Sequence, residues 1–202
     1  DEGKITQYSK DIPLDGPEYL LFDDLIYVAT NKGLKIISDS NGYEIDKNDF
    51  HIFDKIVISD LDIIDERLYI ASEIGLFEYS NEDNSLIKIN DELYSKIVTD
   101  KQNNLYAMKK NRLFKIDNQG VNYIINLKNV KNMCYCNDFI WFNHYKYASI
   151  LNLSNNFLTE YNELDGLLSK KIYNIQCDKD WVWFSTDSGL ILYNWSNYHY
   201  NE

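Results

Sequence analysis

The sequence predicts an all-β protein, a β-propeller of about five four-stranded blades, from three observations. First, an aromatic residue recurs at 27, 69, 106, 141 and 183, in steps of 42, 37, 35 and 42 residues, the length of one propeller blade. Second, the segments around these aromatics align without gaps. Ile26-Tyr27-Val28-Ala29-Thr30-Asn31-Lys32-Gly33-Leu34 sets the pattern, and the stretches 68–76, 105–113, 140–148 and 182–190 repeat it. Third, the runs on either side of each turn are apolar on successive residues, as in Ile26-Tyr27-Val28-Ala29 and Ile191-Leu192-Tyr193. A half-exposed strand alternates apolar and polar side chains, so these strands are expected to be buried on both faces, as between stacked sheets.

Each unit reads as four strands. A short apolar strand comes first: Tyr19–Phe22, Ile56–Ile58, Ile97–Val98, Met133–Tyr135 and Ile172–Ile175. The aromatic hairpin follows, with Gly33, Gly75 and Gly189 supplying the positive φ its turn needs and Asn111 expected to do so in the third unit. A more polar outer strand closes the unit, as in Leu86–Ile89, Tyr123–Ile125 and Phe157–Tyr161. The polar stretches Asp39–Gly42, Asn81–Asn84 and Asp117–Gly120 read as hairpin turns, since none carries a full calcium-ligand set. No helical period exceeds a turn or two. One propeller domain over 1–202 is therefore expected, with repeats centred on Tyr27, Tyr69, Tyr106, Trp141 and Trp183.

The ends suggest how such a ring closes. Lys4-Ile5-Thr6-Gln7-Tyr8-Ser9 is similar to the outer strand Leu158-Thr159-Glu160-Tyr161-Asn162, and residues 4–9 are expected to complete the last blade. The start at Asp1, without Met, fits a mature form after signal-peptide removal or a chain trimmed in the same way.

Composition narrows the function classes. Tyr alone contributes 17 residues and Pro only 2, a mix that suits strands. A net charge of −12 with no dense Lys/Arg cluster disfavours nucleic acid and anionic membrane surfaces. No window approaches the apolar length of a membrane span. Cys134 and Cys136 form a Cys-x-Cys pair and Cys177 stands apart; three cysteines make no disulfide framework and no second metal half-site, so buried core thiols are expected.

The stretch Tyr161-Asn162-Glu163-Leu164-Asp165-Gly166-Leu167-Leu168-Ser169, followed by Ile175 and Trp183-Phe184-Ser185-Thr186-Asp187-Ser188-Gly189-Leu190-Ile191-Leu192-Tyr193, resembles the two-component-regulator propeller repeat. That pattern is an Asp-Gly-Leu turn, an apolar strand, then Leu-Trp-hydrophobic-Gly-Thr-x-x-Gly-Leu with an apolar-aromatic end. The match is fullest in the fifth copy, fair in the first two and thinnest in the third and fourth, which lack the turn glycine. The resemblance implies propeller architecture and, in that family, periplasmic sensor domains within larger arrays followed by an immunoglobulin-like domain, a membrane span and a kinase. None of these follows in the chain, so the expectation is a free-standing propeller module of a periplasmic or secreted protein. Asn-, Ile-, Lys- and Tyr-rich usage points to an AT-rich, bacterial source.

Chemistry-bearing motifs are sparse. His51, His144 and His199 are the only histidines, and no Gly-x-Ser-x-Gly, phosphate loop, dinucleotide fingerprint or His-Glu-x-x-His occurs. No enzyme activity, cofactor or metal is expected. The fourth unit departs from the others with Asn143-His144-Tyr145-Lys146-Tyr147 at its hairpin turn. Those side chains read either as a binding patch of His144, Tyr145, Lys146 and Tyr147, or as local repacking after loss of the glycine. Trp141 and Trp183 share the repeat position and read as packing between blades. Trp181 and Trp195 fall outside it, and read either as exposed rings that stack on sugars or as a cover where the ring closes.

Two roles follow. The leading one is a non-catalytic interaction or scaffold propeller binding a protein partner through one face. The alternative is a sensor or lectin-like module binding a carbohydrate or other small ligand. Asn31, Glu73, Lys110, Tyr145 and Asp187 share one turn position, and that diversity favours a single asymmetric surface over repeated lectin sites.

Overall fold

A computed structural model describes residues 18–22, 25–38, 48–167 and 171–199. The chain divides into two compact units, Asp1–Ser95 and Lys96–Glu202. Both are built from antiparallel sheets whose strands follow one another in chain order. In the first unit β1 (Glu18–Phe22), β2 (Leu25–Thr30) and β3 (Gly33–Ser38) form one sheet; β4 (Ile58–Ile64), β5 (Arg67–Ser72), β6 (Gly75–Ser80) and β7 (Ser85–Asn90) form the second. The second unit holds a third sheet of β8 (Lys96–Thr99), β9 (Leu105–Lys109), β10 (Arg112–Asp117) and β11 (Gly120–Asn126). Its fourth sheet is β12 (Asn132–Cys136), β13 (Phe139–Asn143), β14 (Ala148–Asn152) and β15 (Phe157–Tyr161), and its fifth is β16 (Ile172–Asp178), β17 (Trp181–Thr186) and β18 (Gly189–Asn194).

The expectation of four strands in every sheet is met in part. Among the described residues three sheets carry four strands, while the first and last carry three each. The expected closing strand, residues 4–9, and the turn Asp39–Gly42 lie outside the described residues. The first strand of the second sheet is also displaced. It begins at Ile58 rather than Ile56 and runs on through Asp60 and Asp62 to Ile64, because it pairs with β5 around a bulge at Ser59.

Packing repeats one rule. Alternate side chains of a strand point to opposite faces, so every sheet has an aromatic-bearing face and an opposite face. The Tyr27 face of the first sheet, with Ala29, Leu34 and Ile36, is buried with Leu61, Leu68, Ile70, Phe77 and Tyr79 of the second. In the second unit the Tyr106 face of the third sheet meets Met133, Ile140, Phe142 and Leu151 of the fourth. The Trp141 face of the fourth then meets Ile175, Val182 and Phe184 of the fifth. Strands β5 and β13 are accordingly buried on both faces, as continuous apolar runs require. Each large apolar side chain so buried contributes about 1.5–3 kcal/mol.

The hairpin turns repeat one arrangement. A hydroxyl ends the first strand, donates to the carbonyl of the turn glycine, and accepts from the amide between them. Thr30 Oγ1 donates to Gly33 O at 2.7 Å, Ser72 to Gly75 at 2.8 Å and Thr186 to Gly189 at 2.7 Å. The amides of Lys32, Ile74 and Ser188 return the bond. A short hydroxyl side chain bonding the backbone two residues on is a local turn device. In the third unit the positive φ falls on Lys110 (57°) and not on Asn111, where it was expected. There the lead-in turn is instead anchored on the buried Asp100. Its carboxylate accepts from the amides of Gln102 and Asn104, the Asn104 side chain and the Tyr106 hydroxyl, so the buried charge has partners on all sides.

The cysteines are corrected more sharply. Cys136 on β12 and Cys177 on β16 form a disulfide with Cα atoms 5.8 Å apart. It ties the first strands of the fourth and fifth sheets, which the Asn132 and Asn174 side chains also link by a hydrogen bond. Sequence distance hid this pair: the two residues are 41 apart, and only the repeat brings the strands side by side.

Candidate interaction surface

The fourth hairpin keeps the turn geometry with different chemistry. His144 stands where Thr186 stands in the fifth unit, and its amide donates to Tyr147 O at 3.0 Å across the turn. The imidazole is 4% exposed and lies flat on the Tyr147 ring, with centroids 4.2 Å apart. Its Nδ1 is 2.8 Å from the Lys128 carbonyl. A carbonyl only accepts, so Nδ1 carries the proton and Nε2, 2.7 Å from Ser149 Oγ, accepts from that hydroxyl. Burial pushes the His144 pKa below its ordinary value, against the opposing pull of the Lys128 carbonyl and the Glu160 charge. A serine hydroxyl donating to a histidine is the start of a nucleophile pair, but Ser149 is fully buried and no substrate atom can approach it. His144 is thus turned into the core, with the half-buried Tyr147 ring stacked over it, which favours local repacking around the missing glycine.

Tyr145 and Lys146 are the two residues that remain at the tip. Tyr145 takes φ 75°, held by its amide donating to Asn143 Oδ1 at 2.7 Å and its carbonyl accepting from Ile172 N at 2.6 Å. Its ring meets Tyr173 edge-on, with centroids 6.4 Å apart. Tyr173 is the bulged residue of β16, skipped by the register between Ile172 and Asn174, and is 56% exposed. Tyr145 and Tyr173 therefore form a small aromatic pair where the fourth turn meets the fifth sheet, with the exposed Lys146 next to Tyr145 in the chain.

The two tryptophans separate. Trp195 is fully buried, edge-on to Phe139 at 5.2 Å, and donates from Nε1 to Lys179 O at 3.1 Å. It is therefore not an exposed stacking ring: it plugs the core shared by the fourth and fifth sheets. Trp181 is 40% exposed and belongs to a larger surface. In antiparallel pairing, directly opposed residues share a face. Trp183 is opposed to Leu192 and Gln176, Ser185 to Leu190 and Asn174, and Trp181 to Asn194 and Asp178. One face of the fifth sheet therefore carries Trp181, Trp183, Leu190 and Leu192 together. Leu190 is 64% and Leu192 43% exposed, and Trp183 is half-buried. Trp141, at the same repeat position in the fourth sheet, is wholly covered. Sequence reasoning treated Trp183 as packing and passed over Leu190 and Leu192, since apolar residues that end up exposed read the same as their buried counterparts in the earlier repeats.

Among the described residues no helix is long and apolar enough to cross a membrane. No family model matches the chain, and no curated protein does; the two-component-regulator repeat stays a resemblance. Solved structures do match. One is described as the extracellular domain of a hybrid two component system, BT4673 of B. thetaiotaomicron, at 15% identity and TM-score 0.66, covering 87% of this chain and 25% of that one. PorZ of Porphyromonas gingivalis, described as an essential bacterial surface component of the type-IX secretion system, matches at 11% identity and TM-score 0.63, covering 88% of this chain and 24% of that one. Catalytically inactive virginiamycin B lyase of Staphylococcus aureus, with quinupristin, matches at 17% identity and TM-score 0.66, covering 94% and 69%. This chain thus spans about a quarter of the length of the first two. At such identities the likeness is one of fold, which the repeated sheets share: the chain has an all-β, propeller arrangement.

Proposed function

We propose that the chain is a non-catalytic interaction propeller of a bacterial envelope or secreted assembly, and that it holds a protein partner against the exposed face of its fifth sheet. The observation that carries this is the contrast between Trp141, covered by the next sheet, and the Trp181, Trp183, Leu190 and Leu192 face, which water meets. A contiguous apolar surface of that kind marks a binding site on a soluble domain. The partner suited to it presents an apolar sheet face, as the fifth sheet itself does to Trp141. The Cys136–Cys177 disulfide supports a periplasmic or extracellular location, where such bonds persist. The extracellular and surface placement of the BT4673 and PorZ structures supports it as well.

The alternative, a sensor or lectin-like module, draws on the half-buried Tyr145 and exposed Tyr173 pair with Lys146 beside it in the chain, since an accessible aromatic ring near a donor suits sugar stacking. One experiment separates the two. The tagged chain is immobilised, exposed to the envelope fraction of its source, and the retained proteins are identified by mass spectrometry, alongside the Leu190→Glu/Leu192→Glu and Tyr145→Ala/Tyr173→Ala variants. A stoichiometric protein lost at least about tenfold in the leucine variant alone is expected, the loss that denying burial to two leucines brings. Equal retention by that variant, with its melting curve unchanged, overturns the assignment. Glycan binding lost in the tyrosine variant supports the alternative.

A further inference from the structure

Three sulfurs converge in the second unit. Cys134 and Cys136 are two apart on β12 and so project from the same face; both belong to the core shared with the fifth sheet. Cys177 approaches from β16. Its Sγ is bonded to Cys136 and lies 2.9 Å from Cys134 Sγ. Alternate residues of a strand are spaced by roughly 6.6 Å along it, so Cys134 and Cys136 flank Cys177 from two sides. Displacement at sulfur needs that layout: an attacking thiolate, a central sulfur and a leaving sulfur. A sulfur–sulfur bond is about 2.04 Å long, so the approach of Cys134 to Cys177 falls short of bonding by about 0.9 Å.

We propose that Cys134, Cys136 and Cys177 form a thiol–disulfide exchange centre in which the cross-link between β12 and β16 moves between two positions. The Cys134 thiol gives up its proton to solvent and its sulfur attacks Cys177 Sγ. The Cys134–Cys177 bond forms, the Cys136–Cys177 bond breaks, and its electron pair leaves on Cys136 Sγ, which takes up a proton. No oxidant or reductant is consumed. Cys177 is bonded in both states, and the thiol alternates between Cys134 and Cys136. The contact is specific to this pair of sheets, because no other unit carries a cysteine.

The full chain, oxidised with diamide, is held at pH 8.5, quenched in acid, alkylated with N-ethylmaleimide in denaturant and cleaved with chymotrypsin at Tyr135, which separates Cys134 from Cys136. Mass spectrometry then reads which cysteine carries the label. Label on both Cys134 and Cys136, in shares within about tenfold of each other and with none on Cys177, is the expected result. Label on Cys134 alone at all incubation times, or a Cys134–Cys136 bond, overturns the proposal. The Cys136→Ser variant gives a second reading: folded by circular dichroism, it is expected to form the Cys134–Cys177 bond, and a folded variant with both thiols alkylated overturns the proposal independently.

Discussion

Gly75 takes φ 124°, and a Cβ built there would meet the Asn90 carbonyl oxygen at 2.5 Å and Lys88 Cε at 2.8 Å. Gly189 takes a similar φ of 111° with nothing within 4 Å of the same position. Two costs separate at these sites: backbone strain at both, and collision with a neighbouring main chain only at Gly75. Gly189→Ala is expected to cost about 1–2 kcal/mol from strain, and Gly75→Ala about 3 kcal/mol or more once overpacking adds to it. Denaturant melts of the two variants decide this, and equal losses would show that the collision is relieved. His144 offers a second test. Burial lowers its folded pKa, so between that value and the unfolded value of about 6.5 the unfolded chain binds more protons. Stability conferred by the neutral ring is complete above pH ~6.5 and falls as pH drops toward the folded pKa. The melting temperature of the native chain should therefore drop more steeply from pH 7 to pH 5 than that of His144→Gln. Parallel slopes would remove the imidazole as the cause.

At the scale of the element, the hairpin is the part of the molecule most open to reading from sequence. Thr30 and Gly33, Ser72 and Gly75, Thr186 and Gly189 each specify a turn through local bonds alone, so strands on either side follow from the residues beside them. The β12 and β16 positions were legible for the same reason. What was not legible depends on contacts across the repeat. The Cys136–Cys177 bond needs two strands from different units to lie together. The inward turn of His144 needs the Lys128 carbonyl from the segment before β12. The exposure of Leu190 and Leu192 depends on what packs over a sheet, whereas their hydropathy only says that something would favour doing so. Of the six site residues drawn from sequence, His144 and Trp195 are buried, Tyr145 and Tyr147 are half-buried, and Lys146 and Trp181 are exposed.

For the whole second unit, the disulfide acts on the unfolded chain as much as on the folded one. Closing a loop between residues 41 apart removes conformational entropy from the unfolded ensemble, about 2–4 kcal/mol of stability. Cys177→Ser, which eliminates both cross-links of the exchange centre, should lower the stability of this unit by that amount in chemical denaturation. An unchanged midpoint would mean that the cross-link adds no constraint the sheets do not already impose. Direction is the other property at this scale. The Tyr27 face is covered by the sheet that follows it, and so are the Tyr106 and Trp141 faces. A ribosome delivers the chain in the same direction. Within each compact unit a newly made sheet therefore emerges onto an aromatic surface already waiting for it, and that surface stays bare for as long as translation of the covering repeat takes, so a chaperone attending synthesis would find a sticky face that moves along the unit with the ribosome.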